Sequence, residues 1–109
     1  MEDEMTQSMA KLRDSLDKLQ SKLGPADGAI ISQTANEAML LYDDLRRCSS
    51  PKLWTLAFAL LWRDINDIAY RAARSGAWNA FREVEDALMD MIEAGTEHCG
   101  CRWRPRGEL

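Results

Sequence analysis

Leu53 to Trp62 reads LWTLAFALLW: ten residues without a charge, with Thr55 as the only polar side chain. At helical spacing this run is apolar on every side. Trp54, Phe58 and Leu61 point one way, Leu53, Leu56 and Leu60 a second, and Ala59 and Trp62 a third. A helix of that kind must be covered all round. It is too short for a bilayer, which requires about 20 apolar residues, and Arg63 and Asp64 end it abruptly. A chain of 109 residues has little else with which to cover such a segment. Part of it is therefore expected to meet another protein.

Outward from this run, the chain divides into helices. Ser49-Ser50-Pro51 supplies a serine cap followed by proline at the first helical position, which starts a helix at Pro51. Ile65, Ile68 and Ala72 extend its stripe to about Arg74, while Arg63, Asp67 and Arg71 recur every four residues on the opposite side. Before it, Met5, Met9, Leu12, Leu16, Leu19 and Leu23 alternate four and three apart. That spacing predicts a helix over about 6–23 with a narrow packing seam. Gly24-Pro25 stops it, with glycine in a left-handed cap. A second helix is predicted over about 32–47, capped by Ser32 or Thr34, with Thr34 and Glu37 as a capping box. Ser75-Gly76 precedes a fourth, over about 77–94, whose stripe is Ala77, Phe81, Val84, Leu88 and Met91 and which Gly95 stops.

The expected fold is all-α: a small antiparallel bundle of about four helices over residues 1–95, dimeric, followed by an irregular basic tail over 96–109. Composition agrees, since β-branched residues are few and Ala, Leu, Met, Arg and Glu abound. The net charge of −4 opposes general affinity for nucleic acid or anionic lipid. The opening Met-Glu-Asp-Glu lacks the basic start of a secretory signal. Three cysteines, two of them a single residue apart, oppose a disulfide framework. A cytoplasmic protein is expected.

No catalytic pattern is present. The single histidine, His98, falls in the expected tail, and no phosphate loop, nucleophile turn or zinc-protease helix occurs. His98, Cys99, Cys101 and Cys48 match a zinc ligand count, but their spacing does not, so no metal, cofactor or catalytic residue is assigned. The helix after Ser75-Gly76 carries Glu83, Glu85, Asp86 and Asp90 against Arg82. Phosphate repels it, which excludes a helix-turn-helix reader.

What remains is a protein-binding role. Leu53, Trp54, Phe58, Leu61 and Trp62 are the expected partner-binding residues, because large aromatics dominate interface energetics. Met9, Leu12, Leu16 and Leu19 are the expected homodimer interface. The length, the helical pattern, the opening MEDEMTQSMAKLRDSLDKLQ and the apolar LWTLAFALLW together resemble the small QslA-like quorum-sensing anti-activators of pseudomonads. The resemblance implies a protein that binds the ligand-binding domain of a LuxR-type transcription activator. Covering that activator's dimerisation surface would prevent its assembly on DNA. Two other classes fit the same residues: a phage- or plasmid-encoded helical inhibitor of a host enzyme, mimicking nucleic acid through the carboxylates of the fourth helix, and a self-associating structural bundle.

Overall fold

A computed structural model describes residues 3–100. Among them are four α-helices and no strand: α1 (Glu4–Leu23), α2 (Gly28–Arg46), α3 (Pro51–Arg74) and α4 (Trp78–His98). A short 3₁₀ turn, Pro25–Asp27, joins the first two.

Each helix boundary has a local cause. The Asp3 side chain caps α1 by accepting from the Thr6 backbone N–H at 2.9 Å, and the same carboxylate pairs with Arg46 at the end of α2. Gly24 ends α1 in an extended conformation, with φ 165° and ψ 170°, rather than the left-handed cap that its glycine suggests. The 3₁₀ turn then feeds directly into α2. The helix therefore starts at Gly28, ahead of the expected Ser32. Thr34 is buried inside it and donates back to the Ile30 carbonyl at 2.7 Å. The capping box does not form, which leaves Glu37 free for another role.

Pro51 opens α3 as expected, with Ser50 at the cap position, although the serine side chain makes no capping hydrogen bond. At the other end, Ala77 N–H reaches Ala72 O at 2.8 Å and Gly76 N–H faces Ala73 O. This is the paired closure that a left-handed residue permits, and Gly76 supplies it with φ 71°. The end of α2 closes in the same way, through Ser49 N–H to Asp44 O and Cys48 N–H to Leu45 O. Here the left-handed residue is Cys48, at φ 52°, a conformation that few side chains other than glycine adopt readily.

The helices form antiparallel neighbours. Thr6 meets Tyr42 through their hydroxyls, which sets α1 against α2. Gln33 meets Asp64 and Arg71 meets Asp27, which sets α2 against α3. Gly95 near the end of α4 approaches Met5 near the start of α1, while Lys18 and Lys22 share a groove with Asn79 and Glu83, which sets α1 against α4. The core is apolar and continuous across all four: Leu12, Leu16, Leu19, Leu41, Leu45, Leu61, Ile65, Ile68, Val84, Leu88, Met91 and Ile92 are each fully buried.

Two features at one end of the bundle depart from the sequence reading. The first is that Gly95 does not stop α4. The helix runs through it to His98, so the helical part extends beyond residue 95, and Thr96 is buried. Gly95 is where α4 approaches α2 and α1 most closely: an added Cβ would lie 2.9 Å from Leu45 Cδ1, 3.0 Å from Leu45 Cβ and 3.2 Å from Met5 Cε. The second is a disulfide between Cys48 and Cys99, with Cα atoms 5.3 Å apart and a sequence separation of 51. It replaces the expectation of free thiols. Cys101 and the arginines of the expected tail lie outside the described residues.

Gly95→Ala is expected to destabilise by about 1–2 kcal/mol, because overpacking against Leu45 outweighs the gain in helix propensity. Chemical denaturation measures it, and a stabilised variant would show that the helices are not this close. Reduction of the disulfide, or Cys99→Ser, should lower the unfolding free energy by about 2–4 kcal/mol, as closing a loop of this length implies. An identical urea midpoint with and without reductant would exclude the bond.

Candidate functional site

The seam of α1 is occupied within the chain. Met9, Leu12, Leu16 and Leu19 are all buried, none more than 4% exposed, and α4 is the helix that α1 packs against most extensively. They are core residues rather than a surface for a second copy, which corrects the expected dimer interface. The reason is geometric. The stripe of α4 is as continuous as that of α1, and two such stripes in one chain cover each other at no association cost.

The apolar run of α3 divides by direction. Trp54 and Leu61 are buried among the core residues. Phe58 and Trp62 are half-buried and stacked, with ring centroids 5.6 Å apart. Of the five residues expected to bind a partner, only Leu53 stays clearly exposed, at 55%. The aromatic face points inward and sideways, and the leucine face points out. Leu56 and Leu60 are 64% and 50% exposed, and Leu40 on α2 is 62% exposed. Trp62→Ala should therefore destabilise the bundle rather than leave it untouched.

Leu53, Leu56 and Leu60 lie on the side of α3 that adjoins α2. Leu60 and Asp64 are one turn apart on the same helix edge, and Asp64 accepts a 2.7 Å hydrogen bond from Gln33 Nε2 on α2. Gln33, Glu37 and Leu40 follow one edge of α2 at intervals of four and three. In the antiparallel pairing, Leu40 is thus carried alongside the middle of the apolar run. Exposed leucines thus occur on both helices beside the α2/α3 crevice, with a polar pair at one end.

That pair is Glu37 and Asp64. Asp64 is buried, with Arg63 Nε 3.7 Å from its Oδ1. Glu37 Oε1 is shielded from solvent and accepts no hydrogen bond from the described residues. Burial, then the neighbouring Asp64 carboxylate, pushes Glu37 from its ordinary 4.5 up to about 7, with Arg63 and Gln33 opposing weakly. Asp64 moves down, chiefly because Glu37 hydrogen-bonds to it, and Gln33 and Arg63 add to this. A single proton shared between the two carboxyls accounts for both directions.

The other polar features are internally compensated. Arg71 is held between Asp27 and Asp67, so the groove lined by Tyr70, Arg74 and Ser75 presents little free charge from it. Glu83, Asp86 and Asp90 of α4 share their groove with Lys11 and Lys18 of α1, which interrupts the acidic surface expected there. Among the described residues no group of three or more His, Cys, Asp or Glu is arranged to hold a metal ion. Cys48 and Cys99 are bonded to each other. No described helix is long and apolar enough to cross a membrane.

Sequence reasoning grouped Leu53, Leu56 and Leu60 on one side of α3, which the structure leaves exposed, but favoured the aromatics as anchors. Leu40 and the Glu37–Asp64 pair were missed. Their signal was an apolar residue off the core stripe of α2, and a glutamate at its edge. Comparison of the chain with family models, curated proteins and solved structures returned no match.

The raised Glu37 pKa fixes the sign of a pH effect. The folded state binds its proton more tightly than the unfolded chain, so stability is greatest at low pH in this window and declines as pH rises from about 4.5 to about 7. Glu37→Gln keeps a donor toward Asp64 without the ionisation, and should flatten that decline. Melting temperatures of both proteins across this range test it, and parallel curves would dismiss the shared proton.

Proposed function

We propose that this chain is a protein-docking module that acts by covering an apolar surface on a partner. In this reading the partner is the ligand-binding domain of a LuxR-type transcription activator, in the cytoplasm, and the covered surface is the one through which that activator dimerises. The observation that carries it is the set of four leucines, each half or more exposed, on two adjacent helices. Single exposed leucines are ordinary, but contiguous ones mark interaction sites. Fully burying one leucine side chain contributes about 1.5–3 kcal/mol. Four half-exposed leucines thus supply several kcal/mol.

The mechanism follows from competition. A dimerisation surface built of apolar helices is matched by another apolar helix face, and whichever covers it excludes the other. An inhibitor of this kind requires no chemistry of its own. A second copy of this chain would use the same leucines, since the α1 seam is already occupied, so self-association and partner binding exclude one another.

The test uses purified full chain and a purified LuxR-type ligand-binding domain. Mixing should convert activator dimers to a heteromeric complex in size-exclusion chromatography with light scattering. Leu56→Asp and Leu60→Asp lie on exposed positions and should leave the melting temperature within a few degrees while weakening association at least about tenfold, equivalent to ~1.4 kcal/mol. Complex formation that survives both substitutions would place the interface elsewhere.

A further inference from the structure

We infer that the segment received on the leucine face is an amphipathic helix with one basic side chain beside its apolar stripe, and that this arginine or lysine seats against Glu37, at the rim of the Glu37–Asp64 pair. This inference rests on the docking reading and adds the chemistry of the partner.

The apolar strip has a direction. Along α3 it runs Leu53, Leu56, Leu60, and the next position on that edge is Asp64. Along α2 it runs Leu40, and the next position toward the same end is Glu37. Both helices thus end the strip with a carboxyl group. From Leu53 to Leu60 the strip covers seven residues of rise, roughly 10 Å, or about two turns of an apposed helix. A partner helix laid along it therefore reaches the carboxyl pair within its next turn.

The pair has one cation, Arg63, and it is loosely placed. Gln33 supplies one hydrogen bond to Asp64. Arg63 is the nearest positive charge, but its Nε is 3.7 Å from Asp64 Oδ1 and its side chain is 68% exposed, which is long for a charge-assisted bond. The charged and polar groups acting on the two carboxyls are Gln33 from α2 and Arg63 from α3. Two adjacent carboxyls without a closer cation keep one proton between them. Laying an uncharged partner over that end removes further water from a group already short of solvation. Laying an acidic one adds repulsion. A guanidinium or ammonium reverses both effects, because it lets both carboxyls ionise against it. Charge complementarity therefore selects a basic residue at that end of the partner helix. The proton released from Glu37 makes association tighten as pH rises through the range where that proton is held.

The probes are synthetic helical peptides with one leucine stripe, identical except for arginine, glutamine or glutamate one turn beyond the stripe. Their binding to the full chain is read by fluorescence anisotropy. The arginine peptide should bind at least about tenfold more tightly than the glutamine peptide, and the glutamate peptide most weakly. Glu37→Gln should shrink the arginine advantage to within about twofold while leaving the glutamine peptide's affinity nearly unchanged. In the unsubstituted chain, the advantage should grow between about pH 5.5 and pH 8. Equal affinities for the three peptides, or an arginine preference unaffected by both Glu37→Gln and pH, would overturn the inference. Leu56→Asp separates the two readings. If it abolishes binding of peptides that show no charge preference, the docking face stands and only its basic partner residue falls. If no peptide binds at all, both readings fall together.

Discussion

A helix that is apolar on every side can be hidden only by neighbours on every side, and α3 does not have them. It packs on α2 and α4 and barely touches α1. The buried edge of Trp54, Leu61, Ile65 and Ile68 takes up what those neighbours provide. Phe58 and Trp62 fold against each other on one flank and hide part of their own surface. Nothing comparable is available on the other flank, so Leu53, Leu56 and Leu60 remain in water. The exposure is a consequence of count: four helices in two tight antiparallel pairs leave one long edge uncovered. Because α1 and α4 saturate each other, neither can be recruited to cover it without opening the core.

The far end of α2 is what makes the exposed surface well defined. Its last turn is fixed three times over: by Arg46 to Asp3 of α1, by Leu45 against the bare backbone of Gly95, and by the covalent link from Cys48 to Cys99. The left-handed conformation of Cys48 and the disulfide support each other, since an unusual backbone state persists when its surroundings determine it. With α2 fixed in this way on α1 and α4, its opposite edge holds Leu40 and Glu37 in register with α3. The exposed leucine face thus depends on contacts made on the other side of the same helix.

Most of the fold was legible because its signals are local. The seam of α1, the Ser50-Pro51 start, the Ser75-Gly76 break and the end of α3 at Arg74 all depend on residues within one or two turns. The misreadings have the opposite character. Gly95 looks like a terminator in a sequence, and only the approach of Leu45, fifty residues away, makes it an interior contact. Cys48 and Cys99 meet because α2 and α4 run parallel and end together, which becomes apparent only once α4 is extended past Gly95. Thr34 and Glu37 have the spacing of a capping box, yet the 3₁₀ turn at Pro25 starts the helix earlier and turns both to other uses. Along α3, periodicity put the three leucines on one side but could not say which of three apolar sides the neighbouring helices would take. The aromatics were favoured for their size, and size is also the reason that the core claims them first.

Affinity and orientation come from different parts of this surface. Leucines supply the driving force for association but tolerate sliding, because apolar contact has no preferred register. A stripe of three leucines on one helix accepts a partner helix in either direction and at several offsets. Glu37 and Asp64 break that degeneracy, since they sit at one end of the stripe only and penalise whatever fails to satisfy them. Desolvation of an unsatisfied carboxyl is asymmetric in its effect: it contributes little to the correct complex and disfavours the incorrect ones strongly. On the docking reading, a pair that resists full ionisation in the isolated bundle is for the same reason the feature that selects a partner. Where a small bundle leaves an apolar edge open, a misplaced-looking carboxyl beside that edge is the feature that distinguishes a docking site from an indiscriminately adhesive one.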